Sequence, residues 1–132
     1  MARISLIYGS VREDRQGIKA ALFFKKQLEN RGHEAILVDP KETPLPFLNK
    51  MHKEYPAGEA PKQLEELSQL FEQSDGFVIL SAEYNHSVPP ALKNILDHFQ
   101  SEYHFKPSAI VTYSAGGFGG VRVAGHLRAI CG

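Results

Sequence analysis

Three stretches of this chain hold the residue types that bind ligands or do chemistry. They are Gly9-Ser10-Val11-Arg12-Glu13-Asp14-Arg15-Gln16-Gly17, Ser81-Ala82-Glu83-Tyr84-Asn85-His86-Ser87-Val88-Pro89-Pro90, and Ser114-Ala115-Gly116-Gly117-Phe118-Gly119-Gly120. The first offers a hydroxyl, an amide and guanidinium groups just before a helix. With the free N–H groups of that helix they suit a phosphate. The helix end alone contributes roughly 0.3–1 kcal/mol. Read by itself, the stretch is equally a plain turn, with Ser10 satisfying backbone and Arg12 solvated. In the second stretch Tyr84 is suited to stack on or wall a planar ring, with Glu83 and Asn85 beside it; alone it also reads as a polar turn. The third has four glycines in five residues, more than a tight connection needs, and lets backbone N–H groups approach a flat ligand without a Cβ in the way. Together the three stretches describe a site for something flat at one end and phosphorylated at the other, a mononucleotide-like ligand.

Each stretch follows an apolar run that reads as a buried strand: Ile4 to Tyr8, Phe77 to Leu80, and Ala109 to Tyr113. A further strand is expected over Ala35 to Val38. Helical spacing runs from Gln16 to Asn30, with Ile18, Ala21, Leu22, Phe24 and Leu28 on one face and Gly32 as the stop. Pro61 opens a second helix carrying Leu64, Leu67, Leu70 and Phe71. Pro90 opens a third with Leu92, Ile95, Leu96 and Phe99, and Val121, Ala124 and Leu127 mark a fourth. Residues 40–58 read as a proline-broken loop. Strand and helix alternate four times, which predicts one α/β domain over residues 1–132, an open doubly wound parallel sheet in three layers. In such sheets ligands bind outside the carboxyl ends of the strands, where the strand order reverses. All three polar loops fall on that edge.

Composition narrows the classes. Fifteen basic residues balance fifteen acidic ones, so there is no excess positive charge for nucleic acid or an anionic membrane. One cysteine, Cys131, excludes an intramolecular disulfide and a cysteine-rich zinc site. No apolar run is long enough for a bilayer span, and the glycine of MARISLIYGS comes too early for a signal peptide. A cytoplasmic location is expected. No GxxxxGK[ST], GxGxxG or HExxH motif is present, and the GxSxG elbow of many hydrolases is missing. His86 and His98 lack a metal-ligand spacing and read as scattered histidines.

In order and in register with the strands, the three stretches resemble motifs of the NAD(P)H-dependent FMN reductase family, which includes quinone, azo-dye and chromate reductases. GSVREDRQG is similar to the family's phosphate loop. AEYNHSVPPALKNILDHF resembles its PEYN-x-S-x-P-x-x-LKN-x-x-D signature, with Ala82 where the family has proline. SAGGFGGVR resembles its ring-binding loop. The resemblance covers essentially the whole chain. It implies a flavodoxin-like sheet of order 2-1-3-4, with FMN as cofactor and NADPH or NADH as co-substrate. The acceptor would be a quinone, azo compound, metal oxyanion or free flavin. By the same resemblance Ser10, Arg12, Gln16, Gly17 and Ile18 hold the phosphate. Glu83, Tyr84 and Asn85 border the flavin ring, largely through backbone, and Ser114, Gly116, Gly117 and Phe118 complete its site. The flavin carries the chemistry, so no protein group is assigned as catalytic.

Relatives form homodimers or homotetramers, which would place the third helix, Ala91 to Gln100, at an interface. They also continue with a fifth strand and a final helix beyond the segment matching Val121 to Gly132, so an exposed fourth strand is expected here. Two other readings share the sequence pattern: a flavodoxin-type electron carrier, disfavoured by the neutral charge, and a non-enzymatic flavin- or partner-binding relic.

Overall fold

The computed structural model describes residues 1–132. The four apolar runs pair in parallel: β1 (Arg3–Tyr8), β2 (Glu34–Val38), β3 (Gly76–Ser81) and β4 (Ser108–Thr112), in the order β2-β1-β3-β4. The flavodoxin-like order expected from the sequence is the order found. Ile4 lies opposite Ala35 on one side and Gly76 on the other, and Val78 lies opposite Ala109. The chain steps outward from β1 to β2, then returns past β1 to β3. The order therefore reverses between the ends of β1 and β3, which marks the ligand edge.

Alternation along the strands splits the core in two. Leu6, Tyr8, Val78 and Leu80 face α1 (Gly17–Asn30) and bury Ala21. Ile7, Phe77 and Ile79 face the opposite layer, built from α2 (Lys62–Glu72), α3 (Pro90–Asp97) and α4 (Val121–Cys131). That layer supplies Leu64, Leu67 and Phe71, then Leu92 and Ile95, then Val123 and Leu127, all buried. Phe71 meets Phe77 and Phe99 edge-on, with ring centroids 5.6 and 5.1 Å apart, the arrangement aromatic quadrupoles favour. Lys106 donates to the carbonyls of Phe71 and Glu72 at 2.6 and 2.8 Å, adding to the Ser74 N–H bond that already closes the end of α2 on Phe71.

Two devices hold the long segment between β2 and α2, whose one helical element is a 3-10 turn at His52–Glu54. Asn94 of α3 accepts from the Leu48 N–H and donates to the Pro46 carbonyl, both at 2.9 Å. His52 lies between two carboxylates, 3.2 Å from Glu65 and 3.5 Å from Glu102. Glu102 is buried and also accepts from Ser68 at 2.8 Å and the Gln100 N–H at 3.0 Å.

The elements depart from the sequence expectations in three places. Leu22 is 53% exposed although its spacing placed it on the buried face of α1. The line that meets the sheet is Gly17, Ala21, Phe24 and Leu28, and Leu22 lies one step of 100° off it. The third helix ends at Asp97 rather than Gln100, with Phe99 still buried beyond it. β4 begins and ends one residue early. It forms the sheet edge beside β3, with Ser108 and Ala109 exposed. No helix is long and apolar enough to cross a membrane.

Candidate functional site

Gly9 follows β1 where Leu92 of α3 crowds the backbone: a Cβ there would lie 2.6 Å from Leu92 Cβ. The loop it starts runs to Gln16, which ends it without a side-chain cap on α1, and no acidic residue occupies the first turn of that helix. The Lys19 N–H turns back to the Gln16 carbonyl at 3.1 Å, which leaves the N–H groups of Gly17 and Ile18, at the start of this 14-residue helix, for another acceptor. Ser10, 3% exposed, places its Oγ 3.1 Å from the Tyr84 hydroxyl and 3.5 Å from the Arg12 N–H.

The structure separates two arginines that are adjacent in type and loop. Arg15 is bound bidentately by Asp39, at 2.5 and 2.6 Å, and donates to the Ser10 carbonyl at 2.9 Å. Its guanidinium lies 5.3 Å above the Tyr8 ring. Burial acts to raise the Asp39 carboxyl, but the hydrogen bonds from Arg15 and the Lys41 N–H, with the arginine charge, outweigh it and hold it below the ordinary carboxylate range. Arg12 is exposed and its side chain has no partner in the chain; with Lys19, which also lines the cavity, it is a cation free for a ligand.

The second loop resolves into a two-residue hairpin. Tyr84 and Ser87 exchange both backbone hydrogen bonds at 3.1 Å, while Asn85 (φ 49°) and His86 (φ 66°) take left-handed conformations, the geometry of a type I′ turn for which asparagine is well suited. Three side chains fasten this hairpin to α4. Glu83 accepts from the Val123 N–H at 2.8 Å, Ser87 meets His126 Nδ1 at 2.8 Å, and Arg122 donates to His86 at 2.6 Å. The Glu83 carboxylate is thus committed to the start of α4.

From the third loop, Tyr113 reaches across to α1. Its hydroxyl donates to the Tyr8 hydroxyl at 3.4 Å, and its ring takes the space a side chain on Gly17 would fill, with a Cβ at Gly17 only 2.0 Å from the Tyr113 oxygen. Burial and the bond to Tyr8 push this phenol above its ordinary range, so it stays neutral and able to donate.

These loops enclose a cavity of about 780 Å³ at the carboxyl edge of β1 and β3, within the range of small-molecule sites. Of the twelve residues singled out from the sequence, Ser10, Arg12, Gln16, Gly17, Glu83, Tyr84 and Ser114 line it. Ile18 instead packs on the α1-side core, and Asn85 is exposed at the hairpin tip. Gly116, Gly117 and Phe118 lie outside the cavity wall. Phe118 is 86% exposed, and nothing stands within 4 Å of where a Gly117 side chain would be, which leaves that backbone open to a flat group. Asp14, Arg15, Lys19, Ala20, Ala82, Tyr113 and Ala115 also line the cavity without having been singled out. A second arginine three residues after Arg12 was the available signal for Arg15; a tyrosine ending a strand carried none for Tyr113. A larger cavity of about 890 Å³ lies at the opposite, strand-start end near Phe77, Pro107 and Ser108, away from the switch point. The two histidines considered for a metal are apart in role: His98 is buried with Nδ1 2.6 Å from the Asn94 carbonyl, and His86 is exposed against Arg122.

The donor set fits a phosphorylated planar ligand. An uncapped helix start, a buried hydroxyl and a free guanidinium border the same cavity as two tyrosines. Comparison with known proteins points the same way. Residues 2–132 match the family model described as NADPH-dependent FMN reductase. A 2-hydroxy-1,4-benzoquinone reductase of a Burkholderia species is 29% identical over 98% of this chain and 69% of its own length. An NAD(P)H-dependent FMN reductase of Saccharomyces cerevisiae is 29% identical over 97% of this chain and 72% of its own. Among solved structures, the flavoenzyme NAD(P)H:(acceptor) oxidoreductase FerB of Paracoccus denitrificans superposes with a TM-score of 0.80 at 26% identity, covering 98% of this chain and 70% of that one.

Proposed function

The chain belongs to the NADPH-dependent FMN reductase family, and from that premise we propose that it is an FMN-dependent NAD(P)H oxidoreductase serving a small-molecule acceptor, with a quinone the acceptor class its relatives' names support best. The observation that carries the site assignment is the cavity at the switch point, whose wall holds both phosphate-type donors and tyrosine rings.

Bound FMN supplies hydride acceptance from the nicotinamide and onward electron transfer. The chain supplies position and charge. Ser10 Oγ, the Arg12 guanidinium, the Gln16 amide and the free N–H groups of α1 hold the phosphate through charge-assisted hydrogen bonds and the positive end of the helix. Tyr84 walls the ring, and its hydroxyl keeps Ser10 oriented. The backbone of Glu83 and Asn85 borders the ring on one side. That of Ser114, Gly116 and Gly117 borders it on the other, offering N–H donors toward negative charge that develops during reduction. Phe118, exposed beside that loop, is placed to cover the ring. Ile18 acts behind the phosphate by seating the first turn of α1 on the core. We place the protein in the cytoplasm as one domain that assembles as a homodimer or homotetramer through α3, an assembly that light scattering after size exclusion measures directly.

The deciding experiment is a visible spectrum of the purified protein after FMN addition and desalting, repeated after anaerobic NADPH. Retained yellow colour that bleaches with NADPH is the expected result. Colour that persists until dithionite is added assigns an electron carrier instead, and no retained flavin overturns the cofactor reading.

A further inference from the structure

The phosphate-binding donors lie on a loop with little to hold it. Residues 9–16 form neither strand nor helix, and α1 begins without a side-chain cap. What closes the loop is Arg15. Its Nη1 donates to the Ser10 carbonyl at 2.9 Å, joining the first and last parts of the loop across five residues. The same guanidinium is held from outside by one carboxylate, Asp39, which follows β2 on the neighbouring strand. Both side chains are about nine-tenths buried, at 11% and 9% exposure. Asp39 is in turn fixed by the Lys41 N–H at 3.0 Å, and its own carbonyl accepts from the N–H groups of Glu42 and Thr43. The tie therefore runs from a strand end that contributes nothing to the cavity, through Arg15, to the backbone of Ser10.

We propose that Asp39 is a positioning residue for the phosphate site: it acts through Arg15 to set the backbone of Ser10 and so aims Ser10 Oγ and Arg12 at the ligand's phosphate. The inference rests on the FMN reading above and deepens it. Two features argue for positioning over plain stability. The pairing is bidentate, which fixes orientation as well as distance. It also neutralises Arg15, leaving Arg12 as the unpaired cation of the loop.

Riboflavin shares the ring of FMN and lacks its phosphate, so the pair of ligands separates the role of Asp39 from general loosening. Dissociation constants for both are measured by flavin fluorescence titration of the wild type, Asp39→Asn, Arg15→Met, the double variant and Arg15→Lys, with thermal melts of each apo protein. Asp39→Asn is expected to weaken FMN about tenfold or more while riboflavin changes less than about twofold. Arg15→Lys, which keeps the charge but not the bidentate geometry, gives the same pattern. Because Asp39 works through Arg15, the double variant binds FMN no more weakly than Arg15→Met alone. Equal weakening of both flavins overturns the inference, as do additive effects in the double variant. A wild type that binds neither flavin overturns the cofactor reading itself, a result distinct from any pattern among the variants.

Discussion

Ser10 and Arg12 show how single groups decide what this loop holds. One is a buried hydroxyl and the other a guanidinium without a protein partner. Their joint replacement by alanine removes charge-assisted hydrogen bonds worth about 1.5–3 kcal/mol. FMN affinity should fall about ten- to a hundredfold, read as a fluorescence-derived Kd; an unchanged Kd would remove the phosphate assignment. Gly17 makes the complementary case, where the absence of a side chain matters. Gly17→Ala drives a methyl into the Tyr113 ring, and overpacking of this kind costs about 1–3 kcal/mol. Urea unfolding should show that loss in the single variant and a smaller one when Tyr113→Ala is already present; equal losses in the two backgrounds would mean the ring moves aside freely. Sequence reading singled out Ser10 and Arg12 because a hydroxyl and a guanidinium just before a helix suit a phosphate, and Gly17 through the family resemblance. It passed over Asp39 and Tyr113 because their roles come from contacts 24 and 105 residues away, to Arg15 and Tyr8. No local pattern encodes such contacts.

Among the elements, α4 depends on a residue far from it in sequence. Its first turn carries no acidic residue and no side-chain cap from its own N-cap, and the Glu83 carboxylate takes the Val123 N–H instead. Glu83→Gln keeps the shape and loses the charge, so α4 should lose about 1 kcal/mol. The hairpin of Tyr84 to Ser87 loosens with it. Amide exchange at Val123 that speeds up relative to β3 would show this, and uniform exchange across both elements would refute it. Strands and helices were legible because burial on both faces of a parallel sheet produces continuous apolar runs; β3, buried at all six positions, is the clearest. Leu22 was misplaced because a wide apolar stripe on a helix does not say which residues of the stripe meet the sheet. β4 carries another consequence of order. It is an edge strand with Ser108 and Ala109 exposed and no charge or proline within it, and such edges invite intermolecular pairing. Ala109→Lys should slow aggregation in a light-scattering time course while leaving the melting temperature nearly unchanged; aggregation at the wild-type rate would place the sticky surface elsewhere.

At the scale of the molecule, two buried carboxylates tie distant parts of the chain together, and both respond to acid in the same sense. Asp39 joins β2 to the loop of residues 9–16, and Glu102 joins the segment after α3 to Ser68 of α2 and to His52 of the long connection. Burial alone would raise the Glu102 carboxyl. Hydrogen bonds from the Gln100 N–H, its own N–H and Ser68, with the nearby His52, bring it below the ordinary range, as their counterparts do for Asp39. A carboxylate lowered in the folded state binds fewer protons there than in the unfolded chain. Its stabilising contribution is therefore complete above the unfolded pKa, about 4, and is lost as pH falls through the lower folded value. Equal numbers of basic and acidic residues leave no net charge at pH 7, so repulsion between like charges adds little until carboxylates elsewhere are protonated. Urea midpoints should thus vary little between pH 8 and 5 on account of these two groups and fall below about pH 4. Asp39→Asn and Glu102→Gln should each lower the midpoint at neutral pH and make the acid slope shallower, so that wild type and variants converge as pH drops. Parallel curves, with the same gap at pH 3 as at pH 7, would show that the two carboxylates stabilise the fold by shape rather than by charge.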